Sequence, residues 1–339
     1  MLWFALYAAL GYVGAGLARR YAVQRRLMDE PGERRSHTVP TPRGGGIAIV
    51  AALSIAALAL IVRQPREIVA TASGLLGLWL VAGVGWIDDH RPLSPWLRLA
   101  VHGIAATALA AGAFLGGASF AAAATTWVLC VVLVNVWNFM DGIDGLASTQ
   151  AALVAAAFAF CAASASGALL ALAAIGAIFG FLPFNLPKAR LFLGDVGSGA
   201  LGYAMAWLAG LAMVRLPESA WLWLTLPLSA FVLDAGLTLL SRVVRGERWW
   251  LPHVEHVYQR WARRTGSHVA VSGAYALWTL IAVIMAGIGV SNVDQWGASE
   301  VAVAVSAWWG LGMLLWYGFR RRASESQRAE GTSNRGVDA

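Results

Sequence analysis

Long apolar runs separated by short polar connections dominate the chain. They fall at roughly 1–18, 45–62, 68–87, 97–115, 121–138, 148–164, 167–184, 197–214, 219–240, 270–290 and 299–318. Each has the length of a helix that crosses the hydrocarbon core of a bilayer, about 20 residues. The pattern predicts an all-α fold, a polytopic bundle of about eleven transmembrane helices. It forms one integral-membrane domain over 1–320, followed by a polar, disordered tail over 321–339. The first run begins at Met1 with no basic stretch before it and continues into arginines, so it reads as a retained helix and not a cleaved signal.

Composition agrees with this. The 339 residues are 59% hydrophobic and 13% charged, about half the charged share of a soluble domain. Cys130 and Cys161 both lie in apolar runs and read as small buried hydrophobes, with neither a disulfide nor a metal site implied. The net charge of +7 is unevenly spread. Arg19, Arg20, Arg25, Arg26, Arg34 and Arg35 follow the first run. "PKARLFLGD" follows the seventh, "RVVRGERWWLPHVEHVYQRWARR" the ninth and "FRRRASESQR" the eleventh. The second run is followed by Arg63 and Arg66 alone, and the tenth by "SNVDQWGAS". By the positive-inside rule the N-terminus lies outside and the C-terminus in the cytoplasm.

This orientation gathers the unusual polar residues on the cytoplasmic face. "WIDDHRPLSPWLRLAVH" carries Asp88 and Asp89, and "NVWNFMDGIDGLA" carries Asn135, Asn138, Asp141 and Asp144. "FLGDVGSG" carries Asp195, and His253 and His256 lie after the ninth run. One face holding this many buried-edge polar groups argues for one assembled site. Residues 135, 138, 141 and 144 recur every third position, so helical members share a ridge, and Gly142 and Gly145 leave the aspartates on a bend. Around Asp195, glycines and a helix start suit a phosphate, and a carboxylate beside a phosphate calls for a cation such as Mg²⁺. An Asp/Ser helix cap is the equal alternative for that segment taken alone. Asp88 and Asp89 suit a metal or a proton exchange, while Arg91 and Arg98 either neutralise them or meet a phosphate. His253, His256, Arg260, Arg263 and Arg264 form a basic helical stripe beside Trp250, Val254, Val257, Tyr258 and Trp261. That is the pattern of an interfacial helix, for which lipid headgroups are the simplest ligand. In "RRSHTVPTPRGGGIAIV" the three glycines permit either an anion nest or close helix packing, with Arg43 at their mouth.

Taken together, "SHTVPTPRGGG", "DDHRPLSPWLRL", "NVWNFMDGIDGLA" and "FLGDVGSGALG" resemble, in order and over almost the whole chain, the polyprenyl-phosphate N-acetylhexosamine-1-phosphate transferases. The loop "HVEHVYQRWARRTGSH" departs from the adjacent histidines of the peptidoglycan branch. It looks more like the branch that initiates O-antigen, lipopolysaccharide or other surface polysaccharides. The resemblance implies transfer of N-acetylhexosamine-1-phosphate from a UDP-sugar to undecaprenyl phosphate, at the bacterial inner membrane. Mg²⁺ is the implied cofactor, with Mn²⁺ as a substitute. Membrane lipids surround the protein, a homodimer is left open and no nucleic acid is expected. Of the residues, Asp195 and Asp141 are implied metal ligands and Asp88, Asp89 and Asp144 the catalytic acids, with Asp88 as candidate base. Asn135, Asn138, Asp141, His253, His256 and Arg43 are implied to contact nucleotide or substrate. A lipid or nucleotide-sugar transporter is the alternative. It is disfavoured because its polar groups belong at the bilayer midplane. A CDP-alcohol phosphotransferase is disfavoured because Ser148 and Thr149 stand where its motif continues Ala-Arg.

Overall fold

The computed structural model describes residues 1–31, 39–162, 164–248, 250–251 and 253–335, with side chains described as far as Arg321. Arg34, Arg35 and the Ser36–Thr38 start of the glycine motif lie outside the described residues. So do the side chains of the expected tail from 322 and its backbone from 336.

The all-α expectation holds. The helices are α1 (Leu2–Arg25), α2 (Ile47–Arg63), α3 (Ile68–His90), α4 (Pro95–Leu115), α5 (Phe120–Phe139), α6 (Leu146–Phe160), α7 (Ala165–Asn185), α8 (Asp195–Met213), α9 (Glu218–Leu224), α10 (Ser229–Val244), α11 (Val257–Thr265), α12 (His268–Ser291) and α13 (Ala298–Arg335). Among the described residues nine helical stretches are long and apolar enough to cross a membrane, and α2 and α6 are shorter apolar helices. The ninth apolar run is not one continuous α-helix. A 3₁₀ turn at Leu226–Leu228 separates α9 from α10, because Pro227 has no N–H to donate and its ring crowds the preceding turn. One feature went unforeseen. Met28–Asp29 (β1) pairs antiparallel with Thr41–Pro42 (β2), Asp29 opposite Thr41, which brings Asp29 to the bundle end.

At the centre stands α8, buried along nearly all of its length. Lipid tails are as apolar as leucine, so membrane helices gain little by hiding apolar surface and associate through close packing of small residues. The composition of α8 suits that. A Cβ on Gly202 would lie 2.2 Å from the Leu133 carbonyl oxygen of α5, and one on Gly85 of α3 would lie 2.5 Å from the Asp195 carbonyl oxygen. The triple glycine serves the same end. Gly45 and Gly46 donate their N–H groups to the carbonyls of Phe192 and Leu193, both at 2.9 Å, and a Cβ on Gly46 would sit 2.0 Å from Gly197 Cα. Of the two uses open to this motif, the backbone is committed to packing. Gly197→Ala is therefore expected to destabilise the protein by about 1–3 kcal/mol through overpacking. Gly103→Ala, where nothing lies within 4 Å, should not destabilise it. Thermal unfolding of the two variants in detergent checks this; equal midpoints would refute it.

Helix succession places the ends of α3, α5 and α7 and the starts of α4, α6 and α8 at one end of the bundle. The segment around α11 and the start of α12 closes over the same end.

Candidate active site

A cavity of about 750 Å³ occupies that end. Arg43, Asp89, Asn135, Asn138, Asp141, Asp144, Asp195, His253 and His256, all expected from sequence, share its wall. Asp88 does not reach that wall. Its carboxylate accepts the Leu93 N–H at 2.6 Å and an Arg98 N–H at 2.8 Å, and it is Arg98 that faces the cavity.

The two adjacent aspartates have different surroundings. Asp89 is 2% exposed, and its two oxygens accept the N–H groups of Asp195 and Val196 at 3.0 and 3.1 Å. These are the first two amides of α8, donors that no residue of the helix itself can satisfy. The carboxylate of one helix thus caps the start of another. Arg43 braces it by donating to the Asp89 main-chain carbonyl, with its Nε 3.9 Å from Oδ1. Gly194 enters the helix at φ 72, and a Cβ there would lie 2.6 Å from Asp89 Oδ2.

Because Asp89 supplies the cap, Asp195 is not the cap of its own helix, and its side chain is available to the cavity. Oδ1 accepts from Asn138 Nδ2 at 2.9 Å and Oδ2 from Arg98 at 3.1 Å. Asn138 also reaches Ser198 Oγ at 3.2 Å. Helix α5 ends at Phe139, so Asn135 and Asn138 share its last turns while Asp141 and Asp144 stand on the bend beyond. Asp144 is an anchor: Oδ2 accepts the Ala189 N–H at 3.0 Å, and Oδ1 lies 3.5 Å from His268 Nδ1. Asp141 differs. Among the described residues its carboxylate has no hydrogen bond and no cation. Burial, and then the charges of Asp195, Asp89, Asp29 and Asp144, push its carboxyl up to about 8.

That crowding bears on a metal. Among the described residues no three acidic, histidine or cysteine side chains converge on one point. Magnesium acting on phosphates commonly takes one or two carboxylates and leaves its other positions to water and substrate. Asp141 and Asp195 fit such a site, since Asp141 is an acid crowded by other acids with no counter-ion among the described residues.

The histidine segment departs from the expected single stripe. Helix α11 begins at Val257, so both histidines precede it. The rings of His253 and His256 lie 4.9 Å apart, and His256 stacks between Phe139 and Tyr258. Burial, with help from His256 and Arg242, draws the His253 imidazole down to about 4, so it is neutral at pH 7. Arginines of this segment find partners within the chain. Glu255 pairs with Arg242, with Arg245 at 2.7 Å and with Arg260 at 3.6 Å, while Arg263 donates to the Val254 carbonyl at 2.7 Å. The two glutamates of this segment, Glu247 and Glu255, hold Arg242 and Arg245, and Glu255 also reaches Arg260.

Residues not foreseen also line the cavity: Asp29, His102, Asn185 and His268. His102 and Asn185 were visible as polar residues in apolar runs. Asp29 had no local signal, because the β1–β2 pairing delivers it.

A helical membrane protein with an acid-rich cavity at one end of its bundle is the class that fold and site define. The sequence pattern of glycosyl transferase family 4 matches residues 71–213, which span α3 to α8 and hold both capping partners at Asp89 and Asp195. The phospho-N-acetylmuramoyl-pentapeptide-transferase of Moorella thermoacetica is 33% identical over 224 residues, 58% of this chain and 68% of its own length. The decaprenyl-phosphate N-acetylglucosaminephosphotransferase of Mycobacterium leprae is 26% identical over 320 residues, 80% of this chain and 79% of its own. The undecaprenyl-phosphate alpha-N-acetylglucosaminyl 1-phosphate transferase of Yersinia pestis is 26% identical over 300 residues, 81% of this chain and 79% of its own. The chain belongs to glycosyl transferase family 4.

Proposed function

We propose that the protein transfers N-acetylhexosamine-1-phosphate from a UDP-sugar to undecaprenyl phosphate, releasing UMP. The observation that carries this reading is the Asp141 carboxyl, unpaired among the described residues, beside Asp195 in a cavity at one end of a helix bundle. A soluble nucleotide and a lipid-borne phosphate can both approach such a place. The names of the relatives, which act on decaprenyl or undecaprenyl phosphate, support the same chemistry.

In this reaction a phosphate oxygen of the acceptor attacks the β-phosphorus of the donor. The bond from that phosphorus to the bridging oxygen of UMP breaks, and the sugar keeps its own link to phosphate. Both reactants are anions, so the work of the protein is positioning and charge neutralisation. Asp141 and Asp195 would hold Mg²⁺, which when bound screens the two phosphate groups from each other. Asn138 holds the Asp195 carboxylate in place. Arg98 is the cation next to Asp195, Asp88 orients its guanidinium, and the Asp88 carboxyl also meets that of Asp195 directly. Neutral His253 offers hydrogen bonds without added charge. Asp89 and Asp144 serve as anchors for α8 and for the 189–191 segment.

The protein would work in the bacterial inner membrane with about eleven spans, N-out and C-in, and would start a surface polysaccharide such as O-antigen. The segment 245–268 would select the donor sugar. A C-terminal reporter that functions solely in the cytoplasm is expected to be active, and activity restricted to the far side would overturn the orientation. For the reaction, purified protein is incubated with undecaprenyl phosphate, Mg²⁺ and a panel of UDP-sugars. UMP release with at least one UDP-N-acetylhexosamine is expected, and release with none would refute the reading.

A further inference from the structure

The segment that carries the histidines is held by a residue outside the family match. Asp234 lies in α10 and is 2% exposed. Its Oδ1 accepts the Val257 N–H at 2.8 Å and its Oδ2 the Tyr258 N–H at 3.0 Å. These are the first two amides of α11. The Tyr275 hydroxyl of α12 donates to Oδ2 at 2.7 Å, and Trp316 Nε1 of α13 to Oδ1 at 3.3 Å. His256 Nδ1 stands 3.8 Å from Oδ1, beyond hydrogen-bond range.

The arrangement repeats that of Asp89. In both cases a buried aspartate of one helix takes the first two N–H groups of another helix, at whose start a cavity residue stands. For Asp89 that residue is Asp195; for Asp234 it is His256. Helix α11 has nine residues, too few to persist unaided in water, so its start depends on contacts from outside itself. The link continues into the acidic bend. The Tyr258 hydroxyl donates to the Phe139 carbonyl at 2.9 Å, and a Cβ on Gly142 would lie 2.2 Å from that hydroxyl oxygen. From Asp234 a continuous path runs through Tyr258 to the turn that bears Asp141.

We propose that Asp234 is a positioning residue for the donor half of the site, fixing the start of α11 and through it His256 and the 139–142 turn. This rests on the transferase reading above. Asn at 234 keeps one acceptor oxygen but presents an NH₂ to the second amide, so one of the two anchoring bonds is lost.

The test uses the full chain in detergent with Asp234→Asn and Tyr258→Phe. The KM for the UDP-sugar should rise about tenfold in Asp234→Asn, and by less in Tyr258→Phe, with the KM for undecaprenyl phosphate unchanged. A residue needed merely for folding would lower the maximal rate and leave both KM values alone, and that result would overturn the proposal. Should Asp234→Asn fail to fold, Tyr258→Phe still decides, since an unchanged donor KM there breaks the path. Hydrogen exchange gives a second readout. The amides of Val257 and Tyr258 should exchange faster in Asp234→Asn, while those of Asp195 and Val196 should not. If the wild-type protein released UMP from no donor, the transferase reading would fall. Exchange would then judge the anchor alone, and unchanged rates at Val257 and Tyr258 would overturn it.

Discussion

Asp195→Asn is expected to fold normally and to lose at least about 100-fold in UMP release, close to 3 kcal/mol of barrier. Both halves of this expectation come from the geometry. The amides at the start of α8 are satisfied by Asp89, so the carboxylate of Asp195 is not needed to hold its own helix. It accepts instead from Asn138 and Arg98 at the cavity wall, beside Asp141. Asparagine keeps the shape and one acceptor oxygen but removes the charge that, with Asp141, would hold a divalent ion between two phosphates. Its NH₂ also meets a donor, from Asn138 or Arg98, where an acceptor stood. Kinetics with thermal unfolding on the same preparation check the prediction. Turnover near that of the wild type would remove the metal-ligand assignment, and a collapsed melting transition would remove the claim that Asp195 is free of structural duty.

Asp89→Ala should behave in the opposite way, losing stability and activity together. Two amides of α8 would lose their acceptor, that of Val196 buried and that of Asp195 partly so, a buried one costing about 1–3 kcal/mol. A destabilisation of about 1–4 kcal/mol follows, visible as a lower midpoint in thermal unfolding. Activity should fall with it, because the position of Asp195 depends on how α8 begins. Asp89→Asn should lie between, since one oxygen can still accept. An Asp89→Ala protein with a wild-type melting point and no turnover would restore Asp89 to a direct role in the chemistry. The expected contrast separates two adjacent aspartates of the cavity wall by what they touch: Asp89 grips backbone, and Asp195 meets side chains and the open cavity.

The gathering of the acids was legible because it follows from succession along the chain. Asp88 and Asp89 close one apolar run, Asn138 and Asp141 close another, and Asp195 opens a third. Helices that cross a bundle in turn bring such ends to one side whatever their detailed packing. The lengths and apolarity of the runs are local properties as well, and they specified helices wherever the chain had no proline to break them. The break at Leu226–Leu228 was signalled by Pro227 and hidden by the continuous hydrophobicity around it.

Roles within the gathered group were not legible. Asp88 and Asp89 are neighbours with the same chemistry, and nothing in their sequence says which one will face the amides of α8. That is settled by the close approach of α3 and α8 at Gly85, a contact between residues far apart in the chain. The arginines around α11 read as a face for an external anion, because a helical wheel shows position but not partner. Tertiary packing set Glu255 against Arg260 and against Arg242 and Arg245 from the end of α10. Asp234 went unremarked in the sequence, and it became an anchor when α11 was laid across it. Sequence by itself determined the helices, their order and which residues would meet at one end, because apolar length and chain succession act locally. Tertiary structure decided which carboxylate holds backbone and which is left for chemistry, because a buried charge takes its role from the donors that distant segments bring to it.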